Sequence, residues 1–306
     1  MPKLSLEVLF GMLEATEKAA IEAFKLVGCG DKNKIDLAAS QAMRSYLNSV
    51  RFSADVAIAE YQKDEAPGLY HGEVVGSFQT KPFYSIAVDP VEGTTQAAKG
   101  GFNAISVLAL GDYGAFLSTD CFYMNKIAVG KKIIEKTQIS ISHPIEKNID
   151  LIKKALNKDV VKVCVLNRPR HAELLDRLRK QSCLVKLIDD CDVPATITTA
   201  LPDGDIDLFV GIGGAPEGVI SAAAMKCLGG YFEGCLVDHK TFQPIDNKVY
   251  SQEELAKGDV MFAATGITNG SLLKGVTSKG RGYVTNSILM ESLNKSFKRV
   301  KSYYEV

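Results

Sequence analysis

The pattern of this chain predicts an α/β protein, more fully an α+β layered one, with two domains in which helix and sheet layers alternate. Three observations carry that reading. An amphipathic helix over residues 5–27 leads into a strand-rich stretch from Val56 to about Val129, which describes helices packed on a sheet. Helices and strands then alternate from about Ile149 to Glu233, the order of a second α/β unit. Strands return at Val260–Ala264, Tyr283–Met290 and Phe297–Tyr304. The expected division is 1–145 for an N-terminal α+β unit and 146–306 for a C-terminal α/β unit, with the strands after about 258 suited to either.

The elements follow in order. Leu6, Leu9, Phe10, Leu13, Ala20, Ile21 and Phe24 recur near helical spacing, and Gly28 and Gly30 end the helix. A polar turn from Gly30 to Asp36 precedes a second helix over about 37–50. Val56-Ala57-Ile58-Ala59 reads as a strand running into Glu60, with Asp64 and Glu65 beyond it. Ile86-Ala87-Val88 reads as a buried strand that Pro90 prevents from continuing as an ordinary ladder, and Gly93 allows a tight turn. Apolar runs at 104–110 and 126–129 add two strands. The second half reads as strand Val161–Leu166, helix His171–Lys180, strand Val185–Ile188, a helix, strand Asp207–Val210 and helix Pro216–Leu228.

Composition narrows the class. Over 306 residues, 46% hydrophobic content supports a real core, and 36 basic against 36 acidic residues leave no net charge to attract nucleic acid or an acidic membrane. No apolar run approaches the roughly 18 residues of a membrane span, and Glu7, Glu14 and Glu17 interrupt any signal-peptide pattern. Seven cysteines without a Cys-x-x-Cys pair argue against a disulfide framework or a zinc site and fit a reducing, cytoplasmic setting. Four histidines without a His-x-x-x-His pair leave no zinc-protease signature.

Four segments carry chemistry. Asp89-Pro90-Val91-Glu92-Gly93 places two acids three residues apart at the end of a strand, where hard oxygen ligands suit Mg²⁺ or Mn²⁺. The alternative is a solvated turn. Acids also follow the strands that lead to Glu60 and Glu217, and strand ends are where open α/β sheets bind ligands. Arg168-Pro169-Arg170-His171 brings three basic side chains to a helix start, a phosphate clamp or else a basic turn. Asp189-Asp190-Cys191-Asp192 is an acidic strand end, with Asp192 also suited to cap a helix. Gly211-Ile212-Gly213-Gly214-Ala215-Pro216-Glu217-Gly218 resembles a phosphate-cradling loop; Pro216 breaks the dinucleotide fingerprint, and no Lys-Ser/Thr follows to make a P-loop. Glu217 reads as a metal or sugar ligand, or as an acid complementing the helix dipole.

Asp89-Pro90-Val91-Glu92-Gly93-Thr94, Arg168-Pro169-Arg170-His171 and the segment from Gly211 to Gly218, together with Gly30-Asp31-Lys32, Asp64-Glu65-Ala66-Pro67, Phe122-Tyr123-Met124-Asn125-Lys126 and Ala264-Thr265-Gly266-Ile267-Thr268, occur in an order that closely resembles class II fructose-1,6-bisphosphatase, of the lithium-sensitive sugar and inositol phosphatase superfamily. The resemblance runs from the first helix to the final strands. It implies a two-domain sugar-phosphatase fold and a homo-oligomer, dimer or tetramer. It also implies Mn²⁺- or Mg²⁺-dependent hydrolysis of the 1-phosphate of fructose 1,6-bisphosphate in gluconeogenesis. By the same resemblance, Asp36, Glu60, Asp89, Glu92 and Glu217 are metal-site acids. Asp36, Thr94 and Lys32 form the catalytic set, Lys32 on the reacting phosphate and Thr94 orienting the attacking water. Glu92, Gly93, Thr94, Tyr123, Arg168, Pro169, Arg170, Asp190, Asp192 and Gly214 contact substrate, with Tyr123 and the two arginines on the distal phosphate and the aspartates on sugar hydroxyls.

Two alternatives stand beside that expectation: a phosphatase for sedoheptulose 1,7-bisphosphate or another sugar or inositol phosphate, and a non-catalytic paralogue that binds a phosphosugar. The chain departs from the family pattern at four positions. Tyr61 and Gln62 replace a glycine and a second glutamate, Ser85 an aspartate, and Cys191 a glycine. Gln62 removes a negative charge from the acid cluster, and the changes at Ser85 and Cys191 bear on the support of the site and the fit of the sugar.

Overall fold

The computed structural model describes residues 6–59, 68–78 and 81–305. Two compact units divide the chain, Met1–Ser118 with Ala256–Val306, and Thr119–Leu255. The first contains helices α1 (Leu6–Phe24), α2 (Lys32–Leu47) and α3 (Thr94–Lys99). Its strands are β1 (Ala54–Ile58), β2 (Val74–Val75), β3 (Tyr84–Glu92), β4 (Ile105–Asp112), β11 (Val260–Gly266), β12 (Thr277–Lys279), β13 (Gly282–Glu291) and β14 (Ser296–Glu305).

These strands form one sheet in which the neighbours run β13, β11, β4, β3, β1, β2, with β12 and β14 both paired to β13. Among the described residues of this sheet, only β1 and β3 pair in parallel. One sheet face carries Ile86, Val88, Leu108, Leu110, Met261, Ala263 and Leu289 into a core shared with Val8, Leu9, Met12, Leu13 and Ile21 of α1. The apolar stripe of α1 is therefore rotated from the sequence expectation: Leu6 and Phe10 are exposed, and the small residues Ala15, Ala19 and Ala23 are fully buried. Alanines let the helix lie close to the sheet, which burial of bulkier side chains at those positions would prevent.

The second unit contains β5 (Tyr123–Val129), α4 (Lys131–Ile134), α5 (Ile145–Leu156), β6 (Lys162–Leu166), α6 (Ala172–Lys180), β7 (Leu184–Ile188), α7 (Asp192–Thr198), β8 (Leu208–Gly214), α8 (Ala215–Leu228), β9 (Tyr231–Val237), β10 (Tyr250–Ser251) and α9 (Gln252–Leu255). Its six-stranded sheet has the order β10-β9-β5-β8-β6-β7. The β6–β7 and β6–β8 pairs are parallel, as the alternation of helix and strand leads one to expect, whereas β5 is antiparallel to both of its neighbours. Ile127 and Val129 of β5 pack with Ile149 and Ile152 of α5 and Val163 and Val165 of β6. A two-pronged ion pair, Arg177 Nε and Nη2 each donating at 2.8 Å to Glu146, ties α6 to α5.

The division differs from the 145/146 boundary expected from pattern. Strand β5 reads as one more strand of the first half, but it pairs with β8 and β9, and β11 to β14, which pattern left open, join the first sheet through β4 and β11. Pairing partners far apart in sequence decided both assignments. No helix among the described residues is long and apolar enough to cross a membrane.

One buried carboxylate ties the first unit together. Glu17, in the middle of α1 and 1% exposed, accepts hydrogen bonds from Tyr304 (2.6 Å), Thr285 (2.7 Å) and Ser287 (3.1 Å). It thus joins the helix to β13 and β14. Burial and the adjacent Glu17 hold the Tyr304 phenol protonated far above its ordinary range, so the tyrosine remains a donor. Replacing Glu17 by alanine would strip the Thr285 and Tyr304 hydroxyls of their acceptor and leave Ser287 only its hydroxyl contact with Thr265; the expected loss is about 3 kcal/mol of unfolding free energy, read as a lower urea midpoint with unchanged slope.

Candidate active site

Two carboxylates three residues apart in a regular strand point to opposite faces, because side chains alternate. The structure resolves this by a bulge. Strand β3 does not stop at Pro90: it continues to Glu92, with Asp89 opposite Val107 and Glu92 opposite Ile105 on β4. Three steps along β3 match two along β4, so the extra residue brings Glu92 back to the side Asp89 occupies. Pro90 has no N–H to lose from the ladder at this irregular point, and the Val91 N–H donates to Asp89 Oδ1 at 3.0 Å. A carboxylate oxygen of Asp89 lies within 4.8 Å of one from Glu92. Glu92 is 5% exposed.

Gly93 then turns the chain with φ 91°, a backbone conformation that costs a side-chain-bearing residue about 1–2 kcal/mol, and Thr94 begins α3. Pattern expected Lys32 and Asp36 in a polar turn. Both are instead inside α2, which starts five residues earlier than the expected helix. Asp31 caps it, accepting from the N–H groups of Asn33 (3.1 Å) and Lys34 (3.2 Å). Lys32 and Asp36, four residues apart, consequently share a helix face, with Lys32 exposed and Asp36 buried. Glu60, Tyr61, Gln62, Asp64 and Glu65 lie outside the described residues.

In the second unit, the glycine-rich segment expected as a phosphate-cradling loop is a strand. Gly211, Gly213 and Gly214 belong to β8, paired with β5 along its length, and α8 starts at Ala215. The glycines make room for side chains. A Cβ on Gly213 would fall 2.1 Å from Asp192 Oδ2, and one on Gly214 would fall 1.8 Å from Glu217 Oε2. Asp192 opens α7 and is 4% exposed; its Oδ2 accepts from Lys126 Nζ of β5 at 2.7 Å. Asp192 Oδ1 and Glu217 Oε2 are buried without a hydrogen-bond partner among the described residues. Burial raises the Glu217 pKa, with Lys126 pulling against that shift. A buried carboxylate oxygen left without a donor is what a hard cation or a ligand hydroxyl would satisfy. The donor set of acids thus fits a divalent metal.

The basic segment divides its work. His171 is not a third cation: its Nε2 accepts from the Ile212 N–H at 2.8 Å, so Nδ1 is the donor to Leu166 O at 2.7 Å, and burial lowers its pKa. The imidazole is neutral and pins the 169–171 turn to β6 and β8. Arg170 donates through Nε (3.1 Å) and Nη2 (2.7 Å) to Ile212 O and lies 5.1 Å from the ring centroids of both Tyr123 and Phe242. Its guanidinium is held in one orientation before any ligand arrives. Arg168, half-buried, donates to Asn167 O at 3.1 Å. Asp190 is half-buried, with desolvation raising its pKa.

Two departures from the family pattern have local accounts. Cys191 has φ 68°, the left-handed region, which explains why glycine suits that position. Ser85 donates to Asp55 Oδ1 at 2.5 Å and accepts from the Gly114 N–H at 2.8 Å, tying β3 to β1 and to the turn after β4. Two contributors carried no assigned role in the sequence reading: Lys126, signalled only as a lysine inside an apolar strand, and Phe242, whose ring had no sequence signal.

Gly214→Ala tests the room left by β8. The clash falls on the free end of Glu217, a side chain that can swing aside, so the melting temperature should change little. The Mn²⁺ concentration for half-maximal response in a metal-dependent assay should rise by about tenfold or more.

Comparison with known proteins places the chain among relatives along nearly its whole length. The family described as "Bacterial fructose-1,6-bisphosphatase, glpX-encoded" matches residues 6–304. The fructose-1,6-bisphosphatase class 2 of Haemophilus influenzae is 39% identical over 313 residues, covering 94% of this chain and 93% of the relative. The fructose-1,6-bisphosphatase 1 class 2 of Escherichia coli K12 is 37% identical over 322 residues, covering 97% and 95%. With a match of this extent, the chain belongs to the family of bacterial class 2 fructose-1,6-bisphosphatases.

Proposed function

We propose that this protein removes the 1-phosphate of fructose 1,6-bisphosphate, releasing fructose 6-phosphate and inorganic phosphate. The observation that carries the reading is the bulged strand that turns Asp89 and Glu92 towards each other in a chain of this family. Asp36, Glu60, Asp89, Glu92 and Glu217 would hold Mg²⁺ or Mn²⁺, whose preference is for oxygen donors. When bound, the cation supplies charge neutralisation for the phosphate oxygens and lowers the pKa of water.

The chain's own residues do the positioning that phosphoryl transfer requires. Lys32, one turn before Asp36 on α2, offers its ammonium to the reacting phosphate. The Thr94 hydroxyl orients the attacking water, and Gly93 leaves the backbone open beside the phosphate. Arg168, Arg170, Pro169 and Tyr123 form the distal phosphate site. With Nε and one N–H of Nη2 of Arg170 engaged by Ile212 O, both Nη1 N–H groups and the second Nη2 N–H are left for that phosphate. Asp190 and Asp192 accept from sugar hydroxyls, and Gly214 gives the sugar room at the end of β8. All seven cysteines are free thiols, which fits the reducing cytoplasm. A homo-oligomer and a place in gluconeogenesis belong to the same proposal.

The test is phosphate release from fructose 1,6-bisphosphate with and without Mn²⁺ or Mg²⁺. Metal-dependent turnover is expected, and Asp89→Asn should lower it at least about a hundredfold in a folded protein. Equal turnover by the variant with unchanged metal dependence, or no turnover by the wild-type protein, would overturn the reading.

A further inference from the structure

Lys126 is among the largest fully buried side chains of the described residues, 0% exposed, on a strand paired on both sides. Alternation puts it on the sheet face of Met124 and Ala128, away from the Ile127 and Val129 core. A lone ammonium in such a place is costly unless paired. Among the described residues its partner is a single oxygen, Asp192 Oδ2 at 2.7 Å. As a means of holding the fold together, a buried ion pair is poor: an apolar pair of the same volume usually does as well or better. What the pair supplies is orientation. The ammonium takes one carboxylate oxygen and leaves Oδ1 buried, fixed in direction and without a donor among the described residues. Gly213 accommodates the arrangement, since a Cβ there would meet Asp192 Oδ2 at 2.1 Å and Lys126 Nζ at 3.0 Å.

We propose that Lys126 is a positioning residue for substrate recognition: by fixing Asp192 through Oδ2, it aims Oδ1 as a preformed acceptor for one sugar hydroxyl. The proposal rests on the phosphosugar reading of the site. A carboxylate oxygen accepts a hydroxyl and repels a phosphate oxygen, so the device selects a hydroxylated sugar and also sets which end of the ligand lies at Asp192. A site built to pair with a hydroxyl discriminates strongly against an analogue that lacks it, because its own acceptor is then left buried and unpaired.

Calorimetric titration of fructose 6-phosphate, and of analogues lacking the hydroxyl at C2, C3 or C4 in turn, tests this without requiring turnover. Wild-type protein should bind one of the analogues at least about tenfold more weakly than the parent sugar. Lys126→Met should weaken parent binding by a similar factor and shrink the penalty for that one analogue to about twofold or less, while leaving the other ratios unchanged. Because Lys126→Met strands a buried carboxylate and threatens folding, the apolar pair Lys126→Met with Asp192→Leu serves as the second variant. It should melt no lower than wild type and lack the discrimination altogether. Full discrimination retained in a folded Lys126→Met protein, equal affinity of wild type for all analogues, or no binding of fructose 6-phosphate by wild type would each overturn the proposal. Phosphate release by wild type, measured alongside, judges the phosphatase reading separately: turnover with retained discrimination in Lys126→Met removes the role of Lys126 alone. Discriminating binding without turnover removes the phosphatase reading alone.

Discussion

A β-strand sends successive side chains to opposite faces, and two acids separated by three residues can serve one ion only if the strand gains a residue between them. That constraint governs the first unit. The shift of register between Asp89 and Glu92 requires a partner strand that holds straight while β3 bulges, and β4 supplies it, paired on its other side with β11 along seven residues from Val260 to Gly266. The rigidity of the central strands is in turn set by the core beneath them, where α1 lies close to the sheet on alanines. The left-handed turn at Gly93 and the helix that starts with Thr94 follow directly from where the bulge leaves the chain. Packing, register and the aim of the acids are thus one arrangement.

The second unit solves a different problem, how to keep polar side chains inside a sheet layer. Strand β8 does this by omission: with no Cβ at Gly213 and Gly214, the space above the strand holds Asp192 and the end of Glu217. Around them, each cation has a defined hold. Lys126 is fixed by Asp192, Arg170 by Ile212 O and two aromatic rings, and the 169–171 turn by a neutral His171. Groups set in place before ligand arrives lose less freedom on binding, which is how such a site converts contacts into rate and selectivity.

Much of this was legible in the sequence, and the exceptions have physical causes. The helices α1 and α6 show in hydrophobic period because one face of each is buried, and β4, β6 and β11 show as continuous apolar runs because both of their faces are. The segments bearing Asp89, Glu92, Arg170 and Asp192 stand out because charges crowd the ends of apolar strands. What the period does not contain is pairing: β5 lies beside β8 and β9, and β9 itself is obscured by Glu233 and Gly234 inside its apolar run. Local composition also misled where tertiary space decided the matter. Glycines at 211, 213 and 214 suggest a loop, yet they are strand residues selected by what lies over them. The polar stretch before Asp36 suggests a turn, yet Asp31 caps a helix that begins at once. Pro90 suggests a strand end, yet a bulge tolerates it.

The most direct test of the account is anomalous diffraction from crystals of the protein grown with Mn²⁺. The account predicts an ion coordinated by carboxylate oxygens of both Asp89 and Glu92 at about 2 Å, the spacing of a small hard divalent cation. An ion bound to only one of the two, or ions located elsewhere with both carboxylates turned away, would contradict the claim that the bulge in β3 exists to aim the pair at one metal.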